Sequence, residues 1–332
     1  MLCGTTRRQA PNRPPAPAAG YNRSRAAPVA GSNNHKTLPM RLRDALDLLL
    51  LAALWGASFL FTRIAAPVFG PYPVTALRVG VAAALLVPLV LFNGLGRQAM
   101  QRWKPLALVG LLNSALPFLC YGYAALTLPA GVSALLNATT PLWGAVVAWL
   151  WLGDKPGVWR SAGLAIGFAG ASMLFWTPLP DAAEGRTLLA FLAALLAPLS
   201  YGISASYAQR YLQDTPAMVN AAGSLASATV FLALPAALHW PSHAVPWQAW
   251  VSVLLLGVFS TACAYLLFFR LLARIGPVRA VTVTYLVPLF GVTWGALLLR
   301  EPVTPNMVAA GVVILIGTAF ATGMVGKRAA AT

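Results

Sequence analysis

From residue 45 to residue 325 the chain alternates long apolar stretches with short polar breaks. Ten stretches stand out, at 45–64, 73–92, 104–126, 130–151, 157–176, 187–209, 216–237, 247–271, 278–299 and 305–325. Each is near the ~20 residues that a helix needs to cross the hydrocarbon of a bilayer. The stretches are apolar on every side rather than at alternate positions, which predicts helices and excludes a membrane β-barrel. The breaks are short. LPAG separates the third stretch from the fourth and RIGP the eighth from the ninth, so Gly and Pro set tight turns between antiparallel neighbours. The expected fold class is an all-α membrane protein with ten transmembrane helices.

The pattern occurs twice. Residues 110–154 align with 257–301 without a gap at an offset of 147, matching Gly110 to Gly257, Pro141 to Pro288, Gly144 to Gly291 and Asp154 to Glu301. Trp55-Gly56-Ala57-Ser58 aligns with Tyr201-Gly202-Ile203-Ser204 at an offset of 146. Two repeats follow, 45–176 and 187–325, with five spans each. Basic residues orient them. Beyond the N-terminal tail, and apart from Arg78 inside a span, the outer ends carry Arg63, Arg186 and Arg300, and every other Lys and Arg falls at an inner end. Both termini are therefore expected in the cytoplasm. An odd number of spans per repeat inserts the second upside down, which makes an inverted repeat with a substrate site between the halves.

Composition fits this picture: 59% of the 332 residues are hydrophobic and 9% charged. A net charge of +16 spread over a tail and short loops marks membrane orientation, so no nucleic-acid partner is expected. Cys3, Cys120 and Cys263 form no disulfide or metal spacing. Residues 1–39, rich in Pro, Ala, Asn and Arg, read as a disordered tail without the h-region of a signal peptide. Met40 opens MRLRDALDLLLLAALWG and is an alternative translation start, so the tail lies upstream of the true protein on that reading.

LWGASFLFTR in the first span and ALRVGVAAALLVPL in the second resemble the EamA family of the drug/metabolite transporter superfamily. So do TPLWGAVVAWLWLGD and VPLFGVTWGALLLRE, which end the fourth and ninth spans. The resemblance covers about 45–325. It implies ten helices in two EamA repeats, a central cavity, and export or exchange of small metabolites. Its substrates span amino acids, sugars, nucleosides, purines and cationic drugs. It also implies an Arg in the second helix, where Arg78 stands.

Candidate chemistry is sparse. Asp44, Asp47, Asp154, Asp181, Glu184, Asp214 and Glu301 all sit at span ends or in loops, so no carboxylate supplies a proton relay at mid-membrane. His239 and His243 in HWPSH read as loop residues rather than metal ligands. Arg78 lies inside its span, either binding or gating an anion, or snorkelling outward and tying down a helix end; the structural reading is adopted. Asp154 and Glu301 precede Pro in GDKP and REP and read as caps on the fifth and tenth spans, with gating as the alternative. The substrate-cavity candidates are the polar and aromatic residues inside spans: Trp55, Ser58, Asn113, Ser114, Asn137, Thr140, Tyr201, Ser260, Thr261, Tyr265, Thr284 and Tyr285. Several precede Pro141 or Pro288, where a proline frees a backbone carbonyl. For any one of them, hydrogen bonding between helices is the alternative. Trp103, Trp159, Trp240, Trp247 and Trp250 read as an interfacial belt, while Tyr121, Trp143 and Trp294 either line a cavity or pack in a core.

The expected function is a secondary transporter of the inner membrane that binds a small molecule and works by alternating access. No nucleotide motif, cofactor site or catalytic constellation is found, which argues against ATP coupling and against the rival reading of a lipid-modifying enzyme; matched polar residues inside spans argue against the other rival, a purely structural membrane protein.

Overall fold

The computed structural model describes residues 41–177 and 184–323. The N-terminal tail, the Met40 start, Asp181 and the basic C-terminal end all lie outside the described residues. The described chain is helical, with no strand among the described residues. Eight helical segments are long and apolar enough to cross a membrane. These are α1 (Leu42–Phe69), α2 (Pro71–Phe92), α3 (Trp103–Ala124), α4 (Ala130–Leu152), α5 (Val158–Trp176), α6 (Gly185–Tyr211), α7 (Ala217–Leu238) and α8 (Trp247–Gly276). Two shorter apolar helices follow, α9 (Val283–Leu299) and α10 (Pro305–Ala321). A short helical piece, Gly96–Gln101, precedes α3.

The outside of the bundle is apolar. Leu46, Leu49 and Leu50 on α1, Leu188, Leu189 and Leu192 on α6, and Leu297 and Leu298 on α9 are exposed. A water-soluble protein does not show so continuous a surface, whereas lipid accepts it.

In lipid, apolar area alone does not drive helices together, so close contact at small residues has to do so. The contacts here form matched pairs. A methyl group added to Gly56 of α1 would sit 2.6 Å from Phe290 Cβ and 2.9 Å from Gly291 N on α9. One added to Gly202 of α6 would sit 3.0 Å from the Trp143 carbonyl carbon and 3.0 Å from Gly144 N on α4. The first helix of each repeat thus packs on the fourth helix of the other, at residues that the duplication relates. Likewise Gly110 of α3 abuts Ser224 and Ser227 of α7, while Gly257 of α8 abuts Arg78 and Val81 of α2. Helices α2 and α7 pack together, as do α5 and α10, where Gly163 and Gly317 bring the backbones into contact. The two repeats interlock rather than sit side by side.

The turns follow local chemistry. Gly276 adopts φ 77°, a left-handed conformation that glycine takes without cost, and it reverses the chain after α8. Pro305 opens α10 behind Thr304, whose hydroxyl accepts from Met307 N at 3.2 Å. The ninth stretch, expected over 278–299, is interrupted: regular helix resumes only at Val283. Thr282 Oγ1 donates to Arg279 O at 2.6 Å and Thr284 Oγ1 to Val281 O at 2.8 Å. Such local side-chain bonds compete with the helical ladder.

Changing Gly56 to Val should overpack the α1–α9 contact and destabilise the protein by ~1–3 kcal/mol. Gly144→Ala, whose added methyl meets nothing within 4 Å, should not. Thermal unfolding in detergent checks both, and equal midpoints for Gly56→Val and the wild type would contradict the packing account.

Candidate functional site

Helices α3 and α8 each widen at the same place. Leu111–Ala115 and Val258–Cys263 are π-helical, and the duplication relates them. A π turn opens one extra residue into the ladder and recurs at functional sites. Here the opened turns carry Asn113 and Ser114 in one repeat and Ser260 and Thr261 in the other. The loosened backbone groups find side-chain partners: Thr261 Oγ1 donates to Leu256 O, five residues back, at 2.8 Å, and Ser200 Oγ of α6 donates to Leu112 O at 2.6 Å.

Between the widened turns lies a cavity of about 340 Å³. Trp55, Ser58, Phe59 and Thr62 of α1 line it with Arg78 of α2 and Asn113, Phe118 and Tyr121 of α3. Asn137 and Thr140 of α4, Tyr201 and Ala205 of α6, and Ser260, Thr261, Tyr265 and Phe268 of α8 continue the wall, which Thr284 and Val287 of α9 complete. Both repeats contribute. The volume is at the lower end of the ~300–1,000 Å³ common for small-molecule sites.

Two of the sequence candidates lie elsewhere. Ser114 is fully buried beside Tyr265, one residue round the helix from Asn113. Tyr285 turns away from the cavity, and its hydroxyl meets Thr318 O at 3.3 Å and Thr322 Oγ1 at 2.8 Å on the α10 side. Trp143 packs on Phe168, and Trp294 Nε1 donates to Ala53 O at 3.2 Å, so neither lines the cavity. His239 packs against the Tyr72 ring. Phe59, Thr62, Phe118, Ala205, Phe268 and Val287 were missed. Thr62 could have been found, since it stands four residues after Ser58 and seven after Trp55 on one helical face.

Several lining groups are held in place. Pro141 starts a fresh helical turn, and the carbonyl it frees at Asn137 accepts from Thr140 Oγ1 at 2.7 Å. Asn137 Oδ1 accepts from the Tyr121 hydroxyl at 3.0 Å. Asn113 Nδ2 donates to the Tyr265 hydroxyl at 3.3 Å, linking α3 to α8 across the repeats. That pair also borders a second cavity of about 310 Å³, which runs toward Ala208, Ala217 and Leu272 at the ends of α6, α7 and α8. Asn113 and Tyr265 therefore stand in the partition between the two spaces.

Arg78 does not snorkel. It is 8% exposed, seven residues past Pro71, or about 10 Å along the helix at ~1.5 Å per residue. Its Nε donates to Thr261 Oγ1 at 3.1 Å, and its guanidinium lies 3.5 Å from the centre of the Phe118 ring.

The paired acids part company. In both repeats the chain leaves the fourth helix through a left-handed residue, Gly153 at φ 76° and Arg300 at φ 56°. Asp154 N then donates to Ala148 O at 3.3 Å and Glu301 N to Gly295 O at 3.1 Å, at positions that the duplication relates. Beyond this shared turn the side chains diverge. Asp154 is exposed and pairs with Arg160 at 3.2 Å. Glu301 is mostly buried and accepts from Ala130 N at 2.9 and 3.1 Å. It also faces Arg63 Nε at 3.6 Å, and Arg63 donates to Ala125 O. Glu301 is thus a cap, but on α4 rather than on α10, where Thr304 takes that place. Asp154 does not cap α5, which starts at Val158 behind Gly157 without a side-chain cap. At the opposite end of α1, Arg274 pairs with Asp44 at 3.3 Å and with Asp47.

An interlocked helical bundle with a lipid-facing apolar surface, enclosing a cavity between two repeats, defines a multi-pass membrane protein of the transporter class. The sequence matches the EamA-like transporter family over residues 45–176 and 188–323, and the chain belongs to that family. It is 27% identical over 287 residues to "Uncharacterized transporter YvbV" of Bacillus subtilis (strain 168), covering 85% of this chain and 91% of that protein. It is 24% identical over 252 residues to the "Probable terminal-alkyne amino-acid exporter" of Streptantibioticus cattleyicolor, covering 75% of this chain and 83% of the exporter. A solved crystal structure has a similar fold, with a TM-score of 0.63 at 21% identity over 88% of this chain and all of the other.

Glu301→Ala leaves the Ala130 N–H without its acceptor and removes the Arg63 ion pair, and should destabilise the protein by ~1–3 kcal/mol. Asp154→Ala removes an exposed pair and should cost under about 1 kcal/mol. Thermal unfolding of both variants checks this; equal losses would show that the related acids do related work.

Proposed function

We propose that this protein is a secondary transporter that exports or exchanges a small metabolite across the cytoplasmic membrane by alternating access. The observation that carries the proposal is the central cavity, walled by residues of both repeats at their widened turns. On this reading all ten apolar helices cross the bilayer. The two shorter ones have 17 residues each, at the short end of the spanning range of ~17–25. The repeats are inverted and both termini face the cytoplasm, as the placement of Lys and Arg supports.

In that orientation α1 is tied to the second repeat at both membrane faces. Glu301 and Arg63 close the outer end, and Arg274 with Asp44 and Asp47 closes the inner end. Access from one side requires one set of bonds to open while the other holds. The Asn113–Tyr265 pair, between the central and the second cavity, is the inner part of the path. No carboxylate lines the cavity among the described residues, which favours exchange, facilitated flux or weakly coupled proton antiport over a strict proton relay. The relative named as a terminal-alkyne amino-acid exporter supports the export direction.

The test is counterflow in proteoliposomes preloaded with unlabelled candidate metabolites, with and without a pH gradient. The expected result is saturable uptake of labelled substrate that persists when the gradient is collapsed. Uptake that vanishes with the gradient would overturn the coupling proposal, and a panel with no flux at all would overturn the transport proposal.

A further inference from the structure

We infer that the central cavity binds a small organic monoanion, a carboxylate on an apolar or aromatic body, with Arg78 as its charge partner. This deepens the transporter reading above and rests on it.

Arg78 is buried inside a membrane protein, where an unpaired charge is costly and pairs with whatever anion is at hand. Among the described residues no carboxylate meets it. The four ion pairs found lie at Arg63, Arg160 and Arg274, at helix ends. Arg78 spends Nε on Thr261 and lays its face on Phe118, which leaves both Nη groups without a hydrogen-bond partner beside the cavity. An arginine fork offers two parallel donors, the geometry that a carboxylate takes.

Ser260 supplies a second, independent sign. The residue borders the same cavity next to Thr261 and is 1% exposed, and its hydroxyl is buried without a hydrogen-bond partner. A buried polar group is normally satisfied, and a bound oxyanion toward which this hydroxyl turned would satisfy it.

Packing does not require the charge. The helix contacts relate Arg78 to Ser224, since Arg78 O lies against Gly257 as Ser224 O lies against the matched Gly110. A serine serves at the related position, so the guanidinium is an addition on one side of an otherwise repeated frame.

The rest of the wall sets the body of the ligand. Trp55, Phe59, Tyr121 and Phe268 present aromatic surface. One arginine with no second cation on the wall balances one negative charge, so a monoanion leaves the cavity neutral and a phosphate dianion does not. A free ammonium group would meet the guanidinium with no acid to hold it.

Purified protein in detergent is titrated with phenylacetate, phenylacetamide and phenethylamine, three probes of one shape and different charge, and binding is read by thermal shift and calorimetry. The expected result is that phenylacetate binds at least tenfold more tightly than either of the others. Arg78→Met should abolish that preference while leaving the ligand-free midpoint unchanged or higher, and Ser260→Ala should weaken phenylacetate at least threefold with the midpoint unchanged. Equal binding of the three probes by the wild type, or a preference for the amine, would overturn the inference without any variant. A lowered ligand-free midpoint in Arg78→Met, with phenylacetate preference intact, would make Arg78 a packing residue and overturn it too. Counterflow separates the two readings: flux of a neutral or cationic metabolite that Arg78→Met leaves unchanged would sink the anion site and keep the transporter. Absence of flux for every class would sink the transporter.

Discussion

The close approach of helix backbones at duplicated glycines is the contact on which the other features depend. Lipid competes for apolar surface, so a bundle in a membrane holds together through fit and hydrogen bonds rather than through burial as such. Gly56 meets Phe290 and Gly291, and Gly202 meets Trp143 and Gly144. These two contacts send the first helix of each repeat across to the fourth helix of the other. The crossing leaves α3 and α8 facing each other over a gap, and their π turns widen it into a cavity. A duplicated sequence thereby makes one enclosed site instead of two half-sites.

Around this repeated frame, function attaches to the departures from symmetry. The backbone turn after the fourth helix is the same in both copies, yet Glu301 bridges α1 and α4 while Asp154 pairs with Arg160 in solvent. The second helices pack alike, yet one carries Arg78 and the other Ser224. On the transporter reading proposed above, matched backbone with unmatched side chains lets the two faces open under different conditions.

Much of the fold was legible because membrane helices announce themselves by composition. The stretch expected at 73–92 is the helix Pro71–Phe92, and the one at 130–151 is Ala130–Leu152. The ninth stretch read less well, since Thr282 and Thr284 bond to nearby carbonyls in a way that hydropathy does not register. Many cavity residues were visible as polar or aromatic breaks in apolar runs, among them Trp55, Asn113, Asn137 and Tyr265. Direction was not visible. Asn113 and Ser114 are neighbours, as are Thr284 and Tyr285, and a rotation of one residue separates cavity from core. The partner of an acid was hidden as well: REP suggested a cap on the next helix, but the left-handed turn at Arg300 aims Glu301 at Ala130, 171 positions away. Arg78 read as a residue that snorkels or ties down a helix end, and the sequence does not disclose Phe118 and Thr261 beside it.

The central claim is that one cavity, built from both repeats, faces each side of the membrane in turn. Its most direct test is a single cysteine at Thr140, on the cavity wall, in protein whose native cysteines have been replaced. Reactivity toward a membrane-impermeant thiol reagent is measured from each side in sealed vesicles of known orientation. The account predicts modification from both sides, with inner access falling and outer access rising when Glu301 is replaced by Gln and the outer ties are weakened. Modification from one side alone, unchanged by that substitution, would contradict it.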